Sequence, residues 1–306
     1  YHLAETLLAA GRPVLGIDSL NAYYDPALKE ARLDRLRRHE GFRFERLDTA
    51  DREATAALFS RERPALVVHL AAQAGVRHSI EHPMDYADAN LTGFLTVLEG
   101  CRHAGTRHLV YASSSSVYGG NAKTPFAEAD SVDHPVSLYA ATKKANELMA
   151  HTYAHLYGLR ATGLRFFTVY GPWGRPDMAY YKFTKALFEG RPIPVFNHGR
   201  MERDFTYIDD VAAAVARLVD LPACPDAGFD PVEPNPATSW APHRLYNIGN
   251  RRPEKLMDMI AILERETGRK AVIDYRDMQP GDVVSTAADV DALENAVGFR
   301  PETPLD

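Results

Sequence analysis

Residues His108-Leu109-Val110-Tyr111-Ala112-Ser113-Ser114-Ser115-Ser116-Val117-Tyr118-Gly119 are followed, 25 positions beyond Ser114, by Tyr139-Ala140-Ala141-Thr142-Lys143. Residues 108–112 are apolar and include β-formers, which predicts a buried strand with the serine run at its carboxyl end. Open α/β sheets bind their ligands at that end. The second segment lies among strong helix formers from 140 to 150, and a spacing of four sets Tyr139 and Lys143 on one helical face. A hydroxyl cluster paired with a phenol and an ammonium reads as an active site.

A free phenol, with an ordinary pKa near 10, is a poor base at neutral pH, and a neighbouring ammonium is the simplest way to lower it. Each unit of depression corresponds to about 1.4 kcal/mol, so roughly three units require about 4 kcal/mol from Lys143 and any other cation in the site. Ser114 is expected to hydrogen-bond the same substrate hydroxyl and to relay its proton to Tyr139. A second Tyr-x-x-x-Lys, Tyr181-Lys182-Phe183-Thr184-Lys185, is present. No strand ending in hydroxyls precedes that copy, which is expected to be an ordinary helix face.

Around this pair the chain alternates helix and strand: helix 1–10, strand 14–18, helix 26–38, strand 42–48, helix 52–60, strand 65–72 and a long helix 84–104. The pattern predicts an α/β fold, a Rossmann-type doubly wound parallel sheet over residues 1–170. A Rossmann unit opens with a strand and a glycine-rich turn, and both are expected upstream of Tyr1. Strand 161–169 and a Gly/Pro-rich turn at 171–176 lead into a smaller lobe over 171–306, some segments of which return to the first domain. That lobe is expected to hold helix 179–189, extended segments 192–196 and 203–208, and a proline-rich acidic excursion, 221–242, exposed to solvent.

Composition narrows the function classes. With 306 residues, 45% hydrophobic and 25% charged, the chain is globular, and a net charge of -6 offers no electrostatic case for nucleic acid. The longest apolar runs, such as 65–72, are too short to cross a bilayer. Two cysteines, Cys101 and Cys224, argue against a disulfide framework and suggest a reducing, cytoplasmic setting. Two histidine pairs, His78 with His82 and His151 with His155, lack a carboxylate or cysteine at the spacing of known metal motifs, so no metal is expected.

Asp18 closes the strand at 14–18, where an acidic side chain in dinucleotide folds accepts from the adenosine ribose hydroxyls. A carboxylate there repels a 2′-phosphate and favours NAD over NADP. Asp48 ends the next strand and is placed for the adenine side. Leu70-Ala71-Ala72 offers a floor of small residues that lets a dinucleotide approach the backbone.

With these residues in view, the chain resembles the extended short-chain dehydrogenase/reductase family, the NAD-dependent epimerases and dehydratases, and within it the UDP-glucuronate 4-epimerases. The resemblance spans the chain and rests on Asp18-Ser19-Leu20-Asn21, His69 to Arg77, the serine cluster, Tyr139 to Lys143, Arg165 to Met178, Gly199 to Asp210, Tyr246 to Asn250 and Met278 to Asp282. It implies Ser114, Tyr139 and Lys143 as catalytic, Lys143 also bonding the nicotinamide ribose, and a bound nicotinamide cation helping to lower the phenol. It further implies Asp18, Asp48, Thr49, Leu70, Ala71, Ala72 and Asn90 at NAD, Arg203 and Asp282 at the nucleotide, and Ser115, Ser116, Thr168 and Arg175 near the sugar. Ser19 and His78 stand where close relatives often carry Asn and Tyr.

The reaction so implied removes the 4-hydroxyl proton and a hydride, turns the 4-keto sugar over and returns the hydride to the other face. Sugar 4,6-dehydratases carry Asp-Glu where this chain has Ser115-Ser116, because losing the 6-hydroxyl needs an acid and a base. Sugar-acid decarboxylases usually keep a glutamate at the position of Ser116. Neutral hydroxyls can instead hold a glucuronate carboxylate without repelling it. UDP-glucuronate and UDP-galacturonate are therefore the expected pair. A UDP-glucose 4-epimerase and a non-catalytic NAD-binding regulator are the alternatives, and a homodimer through helices at 84–104 and 138–157 is expected.

Overall fold

The computed structural model describes residues 1–279 and 281–306. Its first half runs α1 (His2–Ala9), β1 (Val14–Asp18), α2 (Pro26–Leu36), β2 (Phe42–Arg46), α3 (Arg52–Glu62) and β3 (Leu66–His69). Two single-turn helices, α4 (His78–Glu81) and α5 (Pro83–Tyr86), pass through a π turn at Ala87–Thr92 into α6 (Gly93–Ala104). Next come β4 (His108–Ser114), a 3-10 turn at Ser115–Tyr118, α7 (Leu138–Tyr157), β5 (Ala161–Phe166) and β6 (Thr168–Tyr170). The second half holds α8 (Ala179–Glu189), β7 (Ile193–Phe196), β8 (Glu202–Tyr207), α9 (Ile208–Leu218), β9 (His243–Ile248), β10 (Pro253–Lys255), α10 (Leu256–Thr267), β11 (Ile273–Arg276) and α11 (Asp291–Val297).

The doubly wound α/β reading holds. Strands β3-β4-β5-β9 form one parallel sheet and β1-β2 a second parallel pair, with Asp18 opposite Arg46. Alternate residues of the four-stranded sheet face opposite layers of helix, as the two-residue period of a strand requires. Val110, Leu164 and Ile248 pack with Val211, Val215 and Leu218 of α9 on one face. Leu109, Tyr111, Ala161 and Leu245 pack with Phe94 and Leu98 of α6 and Ala150 of α7 on the other. The smaller lobe has its own core, in which Phe183, Leu187, Val195, Phe205 and Ile260 meet between α8, α10 and the short sheets β10-β8-β6 and β11-β7.

Four elements depart from the sequence reading. The strand expected over 161–169 breaks at Phe167: its N–H donates to the Ile248 carbonyl at 2.9 Å, and β6 then leaves the large sheet to pair with β8, Thr168 opposite Phe205. Residues 168–170 therefore belong to the smaller lobe, whereas α9, β9 and α11 return to the first domain. The helix expected over 84–104 is interrupted by the π turn, which frees the Asn90 carbonyl to accept from Asn146 Nδ2 at 2.7 Å. Strand 65–72 shortens to four residues, leaving 70–72 in a loop, and the strand expected to end at Asp48 stops at Arg46.

The excursion at 221–242 is irregular yet not wholly exposed. Ala237, Thr238, Ser239 and Ala241 are buried because the segment docks on α7. There Ser239 Oγ bonds His151 Nε2 at 2.7 Å, and Trp240 Nε1 donates to His155 Nδ1 at 3.1 Å. The lobe is tied to the main sheet through the buried Asp204 of β8, whose carboxylate accepts from the backbone N–H of Asn250 at 2.7 Å, Ala288 at 2.9 Å and Arg251 at 3.0 Å.

Candidate active site

Helix α7 is capped by Ser137, whose Oγ accepts from the Ala140 N–H at 3.1 Å, so the helix starts in time to place Tyr139 on its first turn. Its register against the sheet is locked by one buried ion pair. Arg165 of β5, fully buried, donates from Nε and Nη2 to the two oxygens of Glu147 at 2.8 and 2.9 Å, and Ser113 Oγ adds a bond to Glu147 Oε1 at 2.6 Å. Glu147 lies one helical turn beyond Lys143 and two beyond Tyr139. The pair therefore fixes both catalytic candidates relative to the end of β4.

At that end Ser114 accepts from the Ser116 N–H at 3.2 Å, and its Oγ lies 3.2 Å from Ser116 Oγ. Ser115 and Ser116 are half-buried in the 3-10 turn beside it. Burial pushes the Tyr139 phenol above its ordinary value, while a hydrogen bond with Ser114 and the charge of Arg175 pull it back. The sequence reading asked for that pull from Lys143 and any other cation in the site, and Arg175 is such a cation. Lys143 is 3% exposed and directs its ammonium at the Ala112 carbonyl at 2.9 Å, and burial lowers its pKa to about 8.

Arg175 sits in a network that spacing did not reveal. It pairs with Asp177 at 3.1 Å, and Tyr23 donates to the same carboxylate at 3.3 Å. Tyr86 is fully buried, packs edge-on against Tyr139 at 6.1 Å, and donates to the Ala74 and Gly75 carbonyls at 2.9 and 2.5 Å. Tyr23, Tyr86 and Asp177 come from three distant segments, and of these only Asp177 lies in a stretch, Arg165 to Met178, that the sequence singled out.

The residues at the strand ends fit a dinucleotide. An ammonium has three donors, and Lys143, with no carboxylate partner among the described residues, spends one on Ala112 and retains two suited to ribose hydroxyls. Asp18 closes β1 and uses Oδ1 for the Leu20 N–H at 2.7 Å and for Lys29 at 3.0 Å, leaving Oδ2 as an acceptor. Leu70 and Ala71 are exposed and Ala72 half-buried on the loop after β3. Asn90 is not aimed outward: its amide clamps that loop through the Gln73 N–H at 2.8 Å and carbonyl at 3.0 Å, and Nδ2 also reaches Thr142 at 3.0 Å. Thr49 is buried against α6, its carbonyl accepting from Thr96, and Asp48 is exposed with Oδ1 on the Ala50 N–H at 2.9 Å.

Arg203 points its guanidinium at the Glu202 and Val284 carbonyls at 2.8 and 3.1 Å, while Asp282 is paired with Arg77 at 2.8 Å. Thr168 opens β6 half-buried. Of the two histidine pairs, His151 and His155 engage the 221–242 segment, while His78 with His82 has a carboxylate neighbour, Asp85, that spacing did not suggest. The second Tyr-x-x-x-Lys is a helix face of α8, with Tyr181 42% exposed and Lys185 3.9 Å from Glu189.

The NAD dependent epimerase/dehydratase family model matches residues 1–228. This chain belongs to that family. It is similar to Protein CapI of Staphylococcus aureus, 52% identical over 99% of this chain and 91% of that protein. It is also similar to a probable UDP-glucuronate 4-epimerase of Rhizobium meliloti, 46% identical over 100% of this chain and 90% of that protein. Among solved structures, the UDP-glucuronic acid 4-epimerase of Bacillus cereus, in complex with UDP-glucuronic acid and NAD, superimposes with a TM-score of 0.85 at 29% identity, covering 99% of this chain and 91% of that one.

Proposed function

We propose that this chain is an NAD-dependent UDP-glucuronate 4-epimerase, interconverting UDP-glucuronate and UDP-galacturonate. The observation that carries the substrate assignment is the run of neutral hydroxyls, Ser114 to Ser116, beside Tyr139, together with relatives that act on UDP-glucuronate. NAD held between β1, β3 and α7 would accept a hydride from sugar carbon 4 and return it, and its oxidised ring would add a positive charge near the phenol.

The chain's own groups handle the proton. Tyr139 takes it from the 4-hydroxyl, and Ser114, within reach of the same oxygen, orients that hydroxyl and shares the proton in transit. Lys143 holds a cofactor ribose with its unused donors. Ser115, Ser116 and Thr168 grip the sugar carboxylate by charge-assisted hydrogen bonds. That grip matters because a 4-keto uronate is a β-keto acid, which loses carbon dioxide if its carboxylate turns perpendicular to the carbonyl. Arg175 is paired with Asp177, and its remaining influence is assigned to the phenol, with the carboxylate left to the hydroxyls. Arg203 and Asp282 are assigned to the uridine diphosphate, and Asp18, Asp48, Leu70, Ala71 and Ala72 to the dinucleotide, with Thr49 and Asn90 supporting its loops.

Incubation with UDP-glucuronate, UDP-glucose and UDP-xylose separately, with products identified by chromatography, tests the assignment. UDP-galacturonate should dominate the first reaction, and a UDP-pentose as its main product would reject it. The protein is further assigned to the cytoplasm, in keeping with two free cysteines and no helix among the described residues long and apolar enough to cross a membrane. A homodimer is supported by Leu95 of α6 and Leu148, Leu156 and Tyr157 of α7, all more than 40% exposed. Light scattering at micromolar concentration should give twice the chain mass.

A further inference from the structure

Bordering the site above, behind Tyr23 and Tyr86, three side chains with metal-ligating atoms converge. His78 opens α4, His82 joins α4 to α5, and Asp85 lies in α5. The two imidazoles stack with centroids 4.3 Å apart and planes 26° apart, and His78 Nε2 is 3.4 Å from Asp85 Oδ2. One ligand atom from each of the three lies within 4.8 Å of the others. A continuous helix does not make this cluster: the backbone leaves the helical region at His82 (φ -127°, ψ 61°), and the chain restarts at Pro83.

We propose that His78, His82 and Asp85 bind one divalent transition-metal ion of the zinc class, completed by solvent. Two imidazoles and one carboxylate suit zinc, nickel or copper, whereas calcium and magnesium require mostly oxygen ligands. Tetrahedral zinc with bonds of about 2.0–2.1 Å sets its ligand atoms about 3.3 Å apart. The His78–Asp85 edge is already close to that, and His82 and Asp85, both exposed, can close the remainder by side-chain rotation. The charge around the cluster favours a cation. Glu81 and Asp85 are exposed there, and Arg77 next to it is drawn off to Asp282 at 2.8 Å and the Phe196 ring at 4.4 Å. The His78 ring is braced on its inner side by Tyr23 at 4.9 Å, so one ligand is pre-positioned.

The test is calorimetric titration of the chelator-treated, dialysed protein with zinc chloride at pH 7.5, alongside His82→Ala, Asp85→Asn and Cys224→Ser. The wild type should bind one ion per chain with a Kd in the micromolar range. His82→Ala should weaken it by roughly 10–100-fold and Asp85→Asn by a smaller factor, while Cys224→Ser, which removes the exposed free thiol, should bind as the wild type does. Magnesium at millimolar concentration should not compete. Zinc binding that is unchanged in His82→Ala, or absent in the wild type below about 0.1 mM, overturns the proposal.

Discussion

Helices α7 and α8 carry the same Tyr-x-x-x-Lys, and nearly everything physical about the two copies differs. On α7 the lysine is 3% exposed, faces a strand-end carbonyl and has its pKa lowered by burial; on α8 the lysine reaches into solvent toward Glu189. Burial raises the Tyr139 phenol while Ser114 and Arg175 pull it back, whereas Tyr181 is 42% exposed. The ion pairs of the two helices diverge as well: Glu147 with Arg165 is sealed between helix and sheet, and Glu189 with Lys185 is wet. A motif becomes a site when the carboxyl ends of sheet strands desolvate it.

That contrast can be broken most decisively at the phenols. Tyr139→Phe should lower kcat by about 10³-fold or more with unchanged circular dichroism, since it removes a positioned proton acceptor, and Tyr181→Phe should leave kcat as it is. Equal losses would erase the distinction. Next come the ion pairs. Glu147→Ala strands a buried guanidinium and should cost about 3–5 kcal/mol in urea unfolding, while Glu189→Ala should cost less than about 0.5 kcal/mol.

The lysines sharpen the comparison through pH. Lys143 titrates near 8 when folded and near its ordinary 10.5 when unfolded, so between those values the unfolded chain holds more protons. Stability of the wild type relative to Lys143→Met should therefore rise as pH climbs from 8 to 10.5, by up to about 3 kcal/mol. A smaller effect is expected at Arg175. Without its charge the phenol loses a stabilising cation, so Arg175→Ala should lower kcat by about tenfold to a similar degree with UDP-glucuronate and UDP-glucose. A loss confined to UDP-glucuronate would mean that Arg175 holds the carboxylate after all.

Much of the molecule was legible before folding. The β1 and α8 spans match their expected bounds, and β4 and α7 arrive as the serine run and the helix formers required, because local propensity and period-two or period-3.6 burial dominate there. Where tertiary contacts overrode local pattern, the reading failed. Phe167 turns the chain from one sheet to another, which apolar composition on both sides of it does not disclose. The π turn answers to a single carbonyl needed by Asn146, and the docking of 237–241 answers to two histidines 85 and more residues earlier.

Residue order alone determined the alternating α/β plan, the family, and the placing of Ser114, Tyr139 and Lys143 on adjoining elements, since strand and helix periods are properties of neighbours in the chain. Only the folded molecule decided that Arg175 and Tyr23 meet at Asp177, that Lys143 turns to Ala112, and that Asp85 meets His78. Those are electrostatic relations over a few ångströms between segments far apart in the chain, and Coulomb interactions depend on distance and burial, which sequence spacing does not contain.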